Sequence, residues 1–281
     1  MVSKIQTYRP NKWIDAGSFS LWTQMFQDLG NSLELGYRLF VRDFSAKYRQ
    51  SLLGATWVVM FPLFTVGVFV LLNRAGVLQV KESGVPYPVF ALFGLTLWTL
   101  FSGLISSIAG VVGQAGSLIS KIHFPRIALI HSPVLTSLVE LSVRLALLAA
   151  VMVYYGALPN GAFLLLPLFL LPIFFIAIGA GLFLSILGGV FRDLPNILSL
   201  FLTVMLFATP VMYPMPESGL LEELNRFNPL YYLIEVPRDI FFQGRFDQGA
   251  AYALSVLLSL VILLVGWRFY HVAMNRIVEK I

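Results

Sequence analysis

The 281-residue chain contains no cysteine and few charged residues. The absence of cysteine excludes disulfide bonds and thiolate metal sites. Lysine, arginine, aspartate and glutamate together make up 12% of the chain, about half the fraction typical of a soluble domain. Hydrophobic residues make up 58%, and the mean hydropathy is +0.83. This composition indicates a membrane protein.

Several motifs of enzymes are also missing. No lysine follows a glycine, so the phosphate-binding loop G-x-x-x-x-G-K-[ST] does not occur. Neither H-E-x-x-H nor G-x-S-x-G is present. The three histidines, His123, His131 and His271, are isolated in sequence. The chain is therefore predicted to have no catalytic residues, metal site or cofactor of its own. Any energy that its function requires must come from a partner subunit or an ion gradient.

Six long apolar stretches predict transmembrane segments, because roughly 20 helical residues cross the hydrocarbon core. They cover residues 53–72, 85–112, 127–155, 162–190, 197–213 and 250–270. Every backbone amide in lipid needs an internal partner, so such spans must be helical. The fifth is short and contains Pro210, and we expect it to end early. The predicted fold is an all-α polytopic membrane protein with a single domain over residues 1–281.

The distribution of positive charge predicts the orientation. Thirteen of the 19 lysine and arginine residues fall in the N-terminal segment, the loops on the same side and the C-terminal tail. Positive loops are cytoplasmic, so both termini are predicted to lie inside a bacterial inner membrane. The adjacent Arg192 and Asp193 would form a tight cytoplasmic turn between the fourth and fifth spans. The net charge of +5 is thus attributed to topology, and no nucleic-acid partner is predicted.

The segment 18–50 is too polar to cross a membrane, yet apolar residues recur in it at helical spacing. The stripe consists of Trp22, Phe26, Leu29, Leu33, Tyr37, Phe40, Phe44 and Tyr48. Polar and basic residues, including Arg38 and Arg42, occupy the other face. The pattern predicts one amphipathic helix lying in the headgroup region. The alternative is a small soluble helix packed on the rest of the protein.

Four stretches of the chain carry a family resemblance. They read LFVRDFSAKYRQSLLGATWVVMFPL (39–63), LISKIHFPR (118–126), FRDLPNILSLFLTVMLFATPVMY (191–213) and NPLYYLIEVPRDIFFQGR (228–245). In order and spacing they resemble the type-2 ATP-binding-cassette permeases, specifically the branch that exports lipid-linked polysaccharides. The first stretch places Arg42, Asp43, Tyr48 and Arg49 at the end of the interfacial helix. Pro237 departs from the family pattern, in which a helix-friendly residue is usual, and calls the continuity of the outer helix into question.

The resemblance implies a homodimer with two copies of a separate ATPase subunit, which would hold ATP and Mg²⁺. The substrate would be a glycan on an undecaprenyl-diphosphate-type lipid. A cytoplasmic coupling helix would cover residues 117–125, and an external re-entrant gate helix pair would lie within residues 214–249. The candidate contacts to the ATPase are Leu118, Ile119, Lys121, Ile122, Phe124 and Pro125. The candidate gate residues are Tyr231, Tyr232, Arg238 and Asp239.

Five residues within the spans are candidates for lining a translocation path. Glu140 and Arg144 lie four residues apart on one face of the third span, where they either line the path or neutralise each other. Trp57, Phe61 and Trp98 could offer flat rings to sugar faces, although membrane aromatics usually pack against lipid or neighbouring helices.

Other functions remain open at this point. An exporter of the same type could carry O-antigen, capsule or teichoic acid precursors, or a small lipid or drug. An integral membrane enzyme would need clustered carboxylates at one membrane face. Acidic residues do cluster between residues 217 and 247, but arginines alternate with them at helical spacing, which favours a solvated amphipathic hairpin.

Overall fold

A computed structural model describes residues 19–49, 54–75, 85–115, 124–216 and 218–278, and within these ranges the secondary structure is helical, with no β-strand. The helices are α1 (Phe19–Asn31), α2 (Leu33–Arg49), α3 (Trp57–Arg74), α4 (Tyr87–Ala109), α5 (Val111–Gln114), α6 (Ala128–Tyr155), α7 (Leu166–Val190), α8 (Leu194–Ala208), α9 (Leu220–Arg226), α10 (Pro229–Gln243) and α11 (Gly249–Val278). Short 3₁₀ turns precede α3 and α7, at Gly54–Thr56 and Gly161–Leu165.

Five helical stretches in the described part of the chain are long and apolar enough to cross a membrane: Trp57–Arg74, Tyr87–Ala109, Ala128–Tyr155, Gly161–Val190 and Gly249–Met274. The fifth predicted span, 197–213, overlaps the shorter apolar helix α8, which covers Leu194–Ala208. This helix begins at Leu194 with Pro195 in its first turn, where the missing N–H of proline costs nothing. It ends at Ala208 because Thr209, before Pro210, takes an extended conformation. The protein is an all-α polytopic membrane protein.

Helix α4 lies at the centre of the structure, and most of its side chains are buried. It packs against α3, α6, α7 and α8, while α7 also packs along α11. The contact between α7 and α11 is a close approach of two backbones. A Cβ atom added at either Gly179 or Gly266 would collide with the backbone of the other helix. Small residues allow membrane helices to approach in this way.

Contacts at the helix ends define two opposite ends of the bundle. At one end, Arg126 Nη1 donates to Met274 O (3.2 Å), just before α6 and near the end of α11. At the other end, Tyr87 OH donates to Met212 O (2.9 Å), and Asn160 N donates to Phe241 O (2.9 Å). The hairpin α9–α10 lies at this second end. Phe124 lies at the first end, and the segment 116–123 that precedes it falls outside the described residues.

The N-terminal segment differs from the single helix predicted for residues 18–50. It forms two helices that are separated at Ser32, whose hydroxyl donates to Leu29 O (2.9 Å). Gly30, Asn31 and Ser32 are all weak helix formers, which explains a break at this point. Periodicity alone did not reveal it, because the aromatic stripe continues in register on both sides.

Pro237 does not interrupt its helix, since α10 is continuous from Pro229 to Gln243. A proline inside a helix costs roughly 3 kcal/mol. In α10 the ring is buried, and the helix packs against α4, α7 and α11, so tertiary contacts offset this cost.

Candidate functional site

Helix α2 is held along the first half of α6 by small and polar residues. Gly36 faces His131 so closely that any larger residue at position 36 would collide with the imidazole. Two turns further along α2, Asp43 Oδ2 accepts a hydrogen bond from Ser132 Oγ (2.8 Å). The aromatic rings of Phe40, Phe44 and Tyr48 pack edge to face or tilted along the same helix. The predicted interfacial position of α2 relative to the bilayer remains a prediction.

The basic residues predicted on the polar face of α2 are exposed. Arg38 pairs with Glu34 (2.7 Å) and Arg42 with Asp43 (2.8 Å), and both pairs are largely solvated. Arg49 is also exposed, at the end of the helix. Exposed ion pairs of this kind contribute little to stability, so these residues are available to lipid headgroups.

Glu140 is the centre of an ionic cluster that joins α2 to α6. Its Oε1 accepts hydrogen bonds from Lys47 Nζ (2.5 Å) and Tyr48 OH (3.0 Å), and its Oε2 accepts one from Arg144 Nη2 (3.1 Å). The side chains of Glu140 and Arg144 are each 14% exposed, whereas that of Lys47 is 53% exposed. Glu140 lies about 18 Å along α6 from its first residue. The cluster is therefore close to the middle of this long helix.

This geometry changes the interpretation of Glu140 and Arg144 as a self-neutralising pair. Lys47 adds a second cation, so one carboxylate serves two positive charges, and Arg144 Nε is buried without a partner in the described structure. Among the described residues, the polar contacts of Glu140 are directed to α2 or to its own helix. The arrangement favours a clamp between the two helices over a strip that lines a path. The sequence did not indicate Lys47 as a partner of Glu140, because no sequence pattern pairs two positions that are 93 residues apart.

The aromatic candidates separate into two groups. Trp57 and Phe61 are more than half exposed on α3, in a row that continues at helical spacing through Phe64, Val68 and Leu71. Trp98 is only 3% exposed and packs tilted against Phe101 in the core of α4. The indole ring of Trp98 is part of the buried face of α4. Trp98 therefore does not lie on the exposed surface that carries Trp57 and Phe61. Helix α8 presents a second exposed apolar face, which includes Leu200, Val204 and Phe207.

The segment Thr209–Tyr213, which follows α8, is irregular yet largely buried, so its backbone carbonyls need partners. Side chains from three helices supply them. Asn225 Nδ2 donates to Ala208 O (2.8 Å), Arg238 Nη2 to Val211 O (2.7 Å), and Tyr87 OH to Met212 O (2.9 Å). The helices α9 and α10 are thereby fixed to α4 and to the segment after α8, at the second end of the bundle.

Arg238 is the most deeply buried charged residue in the described structure, with 1% exposure. Its guanidinium carbon lies 3.7 Å from the centroid of the Phe90 ring, and Nη1 donates to Glu235 Oε2 (2.5 Å). A Cβ atom at Gly94 would collide with both Val211 O and Arg238 Nη2. Phe90 and Gly94 of α4 are therefore part of this site. The sequence did not indicate Phe90 or Gly94 as partners of Arg238. The signal that it did contain was the position of Arg238 in the apolar register of α10, four residues after Ile234.

The other gate candidates surround Arg238. Tyr231 is buried, and its ring packs edge to face against Tyr232, 5.0 Å away. Tyr232 OH donates to Arg226 O (3.0 Å), which links α10 to the end of α9. Burial, reinforced by the nearby Glu235 carboxylate, raises the pKa of Asp239 to about 6. Asp239 therefore takes up a proton under mildly acidic conditions, which reduces the negative charge around Arg238.

Of the predicted coupling helix, only the end can be placed. Leu118, Ile119, Lys121 and Ile122 lie outside the described residues. Phe124 and Pro125 form the irregular approach to α6, where Phe124 is partly buried against the core. The sequence predicts Phe124 as a contact to the ATPase, and its packing against the core makes it less suited to that role.

Comparison with known proteins identifies the family. A family model described as ABC-2 type transporter matches residues 35–242. The chain is 28% identical to the O-antigen export system permease protein RfbA of Myxococcus xanthus, over 86% of this chain and 94% of the relative. The corresponding protein of Klebsiella pneumoniae is 26% identical over 85% of this chain and 93% of its own length. The polysialic acid transport protein KpsM of Escherichia coli is 25% identical, with 83% and 91% covered. The chain belongs to the ABC-2 type transporter family.

Proposed function

We propose that this protein is the permease subunit of an ATP-driven exporter that moves a polyprenyl-diphosphate-linked polysaccharide of the O-antigen type across the bacterial inner membrane. The observation that carries the proposal is the similarity to O-antigen export permeases over nearly the whole length of both chains. A separate nucleotide-binding subunit would hydrolyse ATP with Mg²⁺, because this chain lacks a phosphate-binding loop.

A homodimer would form the translocation path in this proposal. The exposed rows on α3 and α8 support it, since five large apolar residues of α3 recur at spacings of four and three. Such spacing suits packing against another helix. Trp57 and Phe61 would then lie at or near the path between the two copies.

In this arrangement the two ends of the bundle perform different tasks. The end that carries segment 116–123 would contact the ATPase in the cytoplasm, where both termini would also lie. The opposite end, with α9 and α10, would form the external gate. Arg238 and its partners would set the position of the gate helix, because they bind it to the irregular segment after α8.

Export of a capsule polysaccharide is a second candidate, favoured by the similarity to KpsM. The two candidates differ in the glycan and in its lipid carrier. The permease would be reconstituted with its cognate ATPase in liposomes, and ATP hydrolysis measured with undecaprenyl-diphosphate-linked O-antigen and with capsule polysaccharide on its own lipid anchor. Stimulation by the first alone supports the proposal, stimulation by the second alone favours capsule export, and hydrolysis that responds to neither contradicts both.

A further inference from the structure

Helix α8 is held against its own chain by less packing than α10 at the second end of the bundle. In the described structure, two of the 15 residues of α8 are buried, Leu198 and Leu202. In α10, which also has 15 residues, eight are buried. The opposite face of α8 presents large apolar side chains to its surroundings, including Leu200, Val204 and Phe207. Apolar packing therefore restrains α8 only weakly.

An open apolar groove of about 670 Å³ lies beside the first half of α8. On α8 the lining residues are Leu194, Ile197, Leu198 and Phe201, and the other walls belong to α4, α7 and α11. Protein interiors are normally close-packed, with few voids larger than a water molecule. The groove leaves space into which α8 can move sideways, whereas on its buried side α8 already contacts α4.

The end of α8, in contrast, is fixed by hydrogen bonds from three other helices. Asn225, Arg238 and Tyr87 donate from α9, α10 and α4 to backbone carbonyls between Ala208 and Met212, over distances of 2.7–2.9 Å. Movement at this end would leave buried carbonyls without their partners, which is energetically unfavourable. The segment after α8 is therefore suited to act as a fixed point.

The beginning of α8 lies close to the segment that is predicted to contact the ATPase. A short exposed turn joins α8 to the end of α7. Just before this turn, a Cβ atom added at Gly189 would lie 2.8 Å from Val112 Cγ1 of α5. Helix α5 in turn leads into segment 116–123. A displacement of that segment would thus reach the beginning of α8 through α5 and the end of α7.

We propose that α8 is a lever that pivots on the segment from Ala208 to Met212 and swings at its beginning into the groove between α4, α7 and α11. The inference rests on the proposed function, in which the exposed face of α8 lines the path between two copies of the chain. Leu194 lies about 21 Å from Ala208 along the helix, so a tilt of about 14° would move it by about 5 Å. Such a swing displaces one wall of the path in response to the ATPase.

A pair of matched double variants tests whether the groove must stay free. Val261→Phe with Val265→Phe places two larger side chains in the groove from the side of α11. Leu254→Phe with Leu258→Phe makes a similar change two turns nearer the start of α11, on the same face, at exposed positions outside the groove. In proteoliposomes with the cognate ATPase, the first variant should hydrolyse ATP but lose glycan export, and the second should export like the unmodified protein.

Three results would overturn the lever. Export by both variants would show that the groove need not be free, and loss in both would show that its location is irrelevant. Dissociation of the homodimer in the first variant alone would assign the groove to a helix of the second copy. Absence of export in the unmodified protein would instead count against the proposed function, and the swing would then be judged by cross-linking.

Cysteine cross-linking measures the swing without the glycan, because the chain has no cysteine of its own. Ile197→Cys with Val265→Cys places one thiol on each of two walls of the groove. With a short bifunctional thiol reagent, this pair should cross-link faster during ATP hydrolysis than without nucleotide. An equal rate in the two conditions would overturn the lever even if export is intact.

A second cysteine pair tests the pivot. Asn228 Nδ2 donates to Thr209 Oγ1 (2.9 Å), so Thr209→Cys with Asn228→Cys places two thiols side by side at the end of α8. This pair should cross-link at the same rate with and without ATP hydrolysis, because the account holds this end fixed. A rate that changes with ATP hydrolysis would show that the end of α8 moves and would overturn the pivot.

Discussion

At the scale of single residues, a few buried polar groups join elements that apolar packing alone would leave loosely positioned. Glu140 binds the end of α2 to the middle of α6, and Arg238 binds α10 to the segment after α8. Neither arrangement could be predicted from the sequence beyond the Glu140–Arg144 spacing, because the partners are remote in the chain. Arg238 in particular looked like a residue of a solvated hairpin. Its burial depends on Phe90 and Gly94 of another helix.

The clamp at Glu140 can be tested by removing its charges one at a time. Glu140→Gln should destabilise the protein by roughly 3 kcal/mol, because it leaves the mostly buried Arg144 without its carboxylate. Lys47→Met should cost no more than about 1 kcal/mol, since the Lys47 side chain is half exposed. Thermal unfolding in detergent measures both. The double variant Glu140→Gln with Arg144→Met should regain stability and export, whereas regained stability without export would show that these residues line the path.

The close contact at Gly94 gives a second test with a matched control on the same helix. Gly94→Ala should lower the Tm and weaken glycan export, because its methyl group would displace Val211 and Arg238. Gly103→Ala should leave both unchanged, since nothing lies within 4 Å of the added Cβ atom at that position. An equal response of the two variants in thermal unfolding would show that Arg238 is not held as described.

At the scale of elements, long apolar runs predicted the helices well, and short or polar segments were harder to predict. The run 127–155 corresponds to α6 at Ala128–Tyr155, and 85–112 contains α4 at Tyr87–Ala109. In lipid such runs have no alternative to helix. The break at Ser32 was not predicted, because the aromatic stripe continues in register across it, and the continuity of α10 through Pro237 depends on tertiary contacts that the sequence does not show. The burial of Trp98 was missed for the same reason: an apolar helix does not reveal which face meets protein.

The coupling segment makes a prediction at this scale. A helix over residues 117–125, as predicted, would be too short to be stable in isolation and would need a packing partner. Leu118→Ala with Ile122→Ala should leave the permease inserted but weaken its binding to the ATPase at least tenfold, since each side chain contributes roughly 1.5–3 kcal/mol when buried. Co-purification and coupled ATP hydrolysis measure the effect. Ser120→Ala is the control, and unchanged binding in the double variant would place the coupling surface elsewhere.

At the scale of the whole molecule, the two ends of the helical bundle differ in structure. The turn at Arg192 and Asp193 lies between α7 and α8 at the first end, and the hairpin α9–α10 lies at the second. The distribution of lysine and arginine in the sequence predicts that the first end is cytoplasmic, and this orientation stays a prediction. The sequence could not predict which remote residues meet at each end, such as Arg126 with Met274 or Tyr87 with Met212.

The absence of cysteine makes this polarity directly measurable with single-cysteine variants. Ser218→Cys and Gln243→Cys are exposed positions next to α9 and at the end of α10. Both should react with a membrane-impermeant maleimide in intact spheroplasts. Arg192→Cys, exposed at the opposite end, should react only after the membrane is opened. Labelling of Ser218→Cys only in opened cells would reverse the predicted topology.

The central claim, ATP-driven export of a lipid-linked polysaccharide, is tested most directly by a transport measurement. Proteoliposomes would contain the permease and its cognate ATPase with the nucleotide sites facing outward, and undecaprenyl-diphosphate-linked O-antigen in the outer leaflet. On addition of ATP and Mg²⁺, the account predicts that the glycan becomes protected from an added glycosidase as it moves to the interior. Gly103→Ala should retain this protection, and ATPase without permease should give none. A glycan that stays fully accessible while ATP is hydrolysed by the assembled complex would contradict the account.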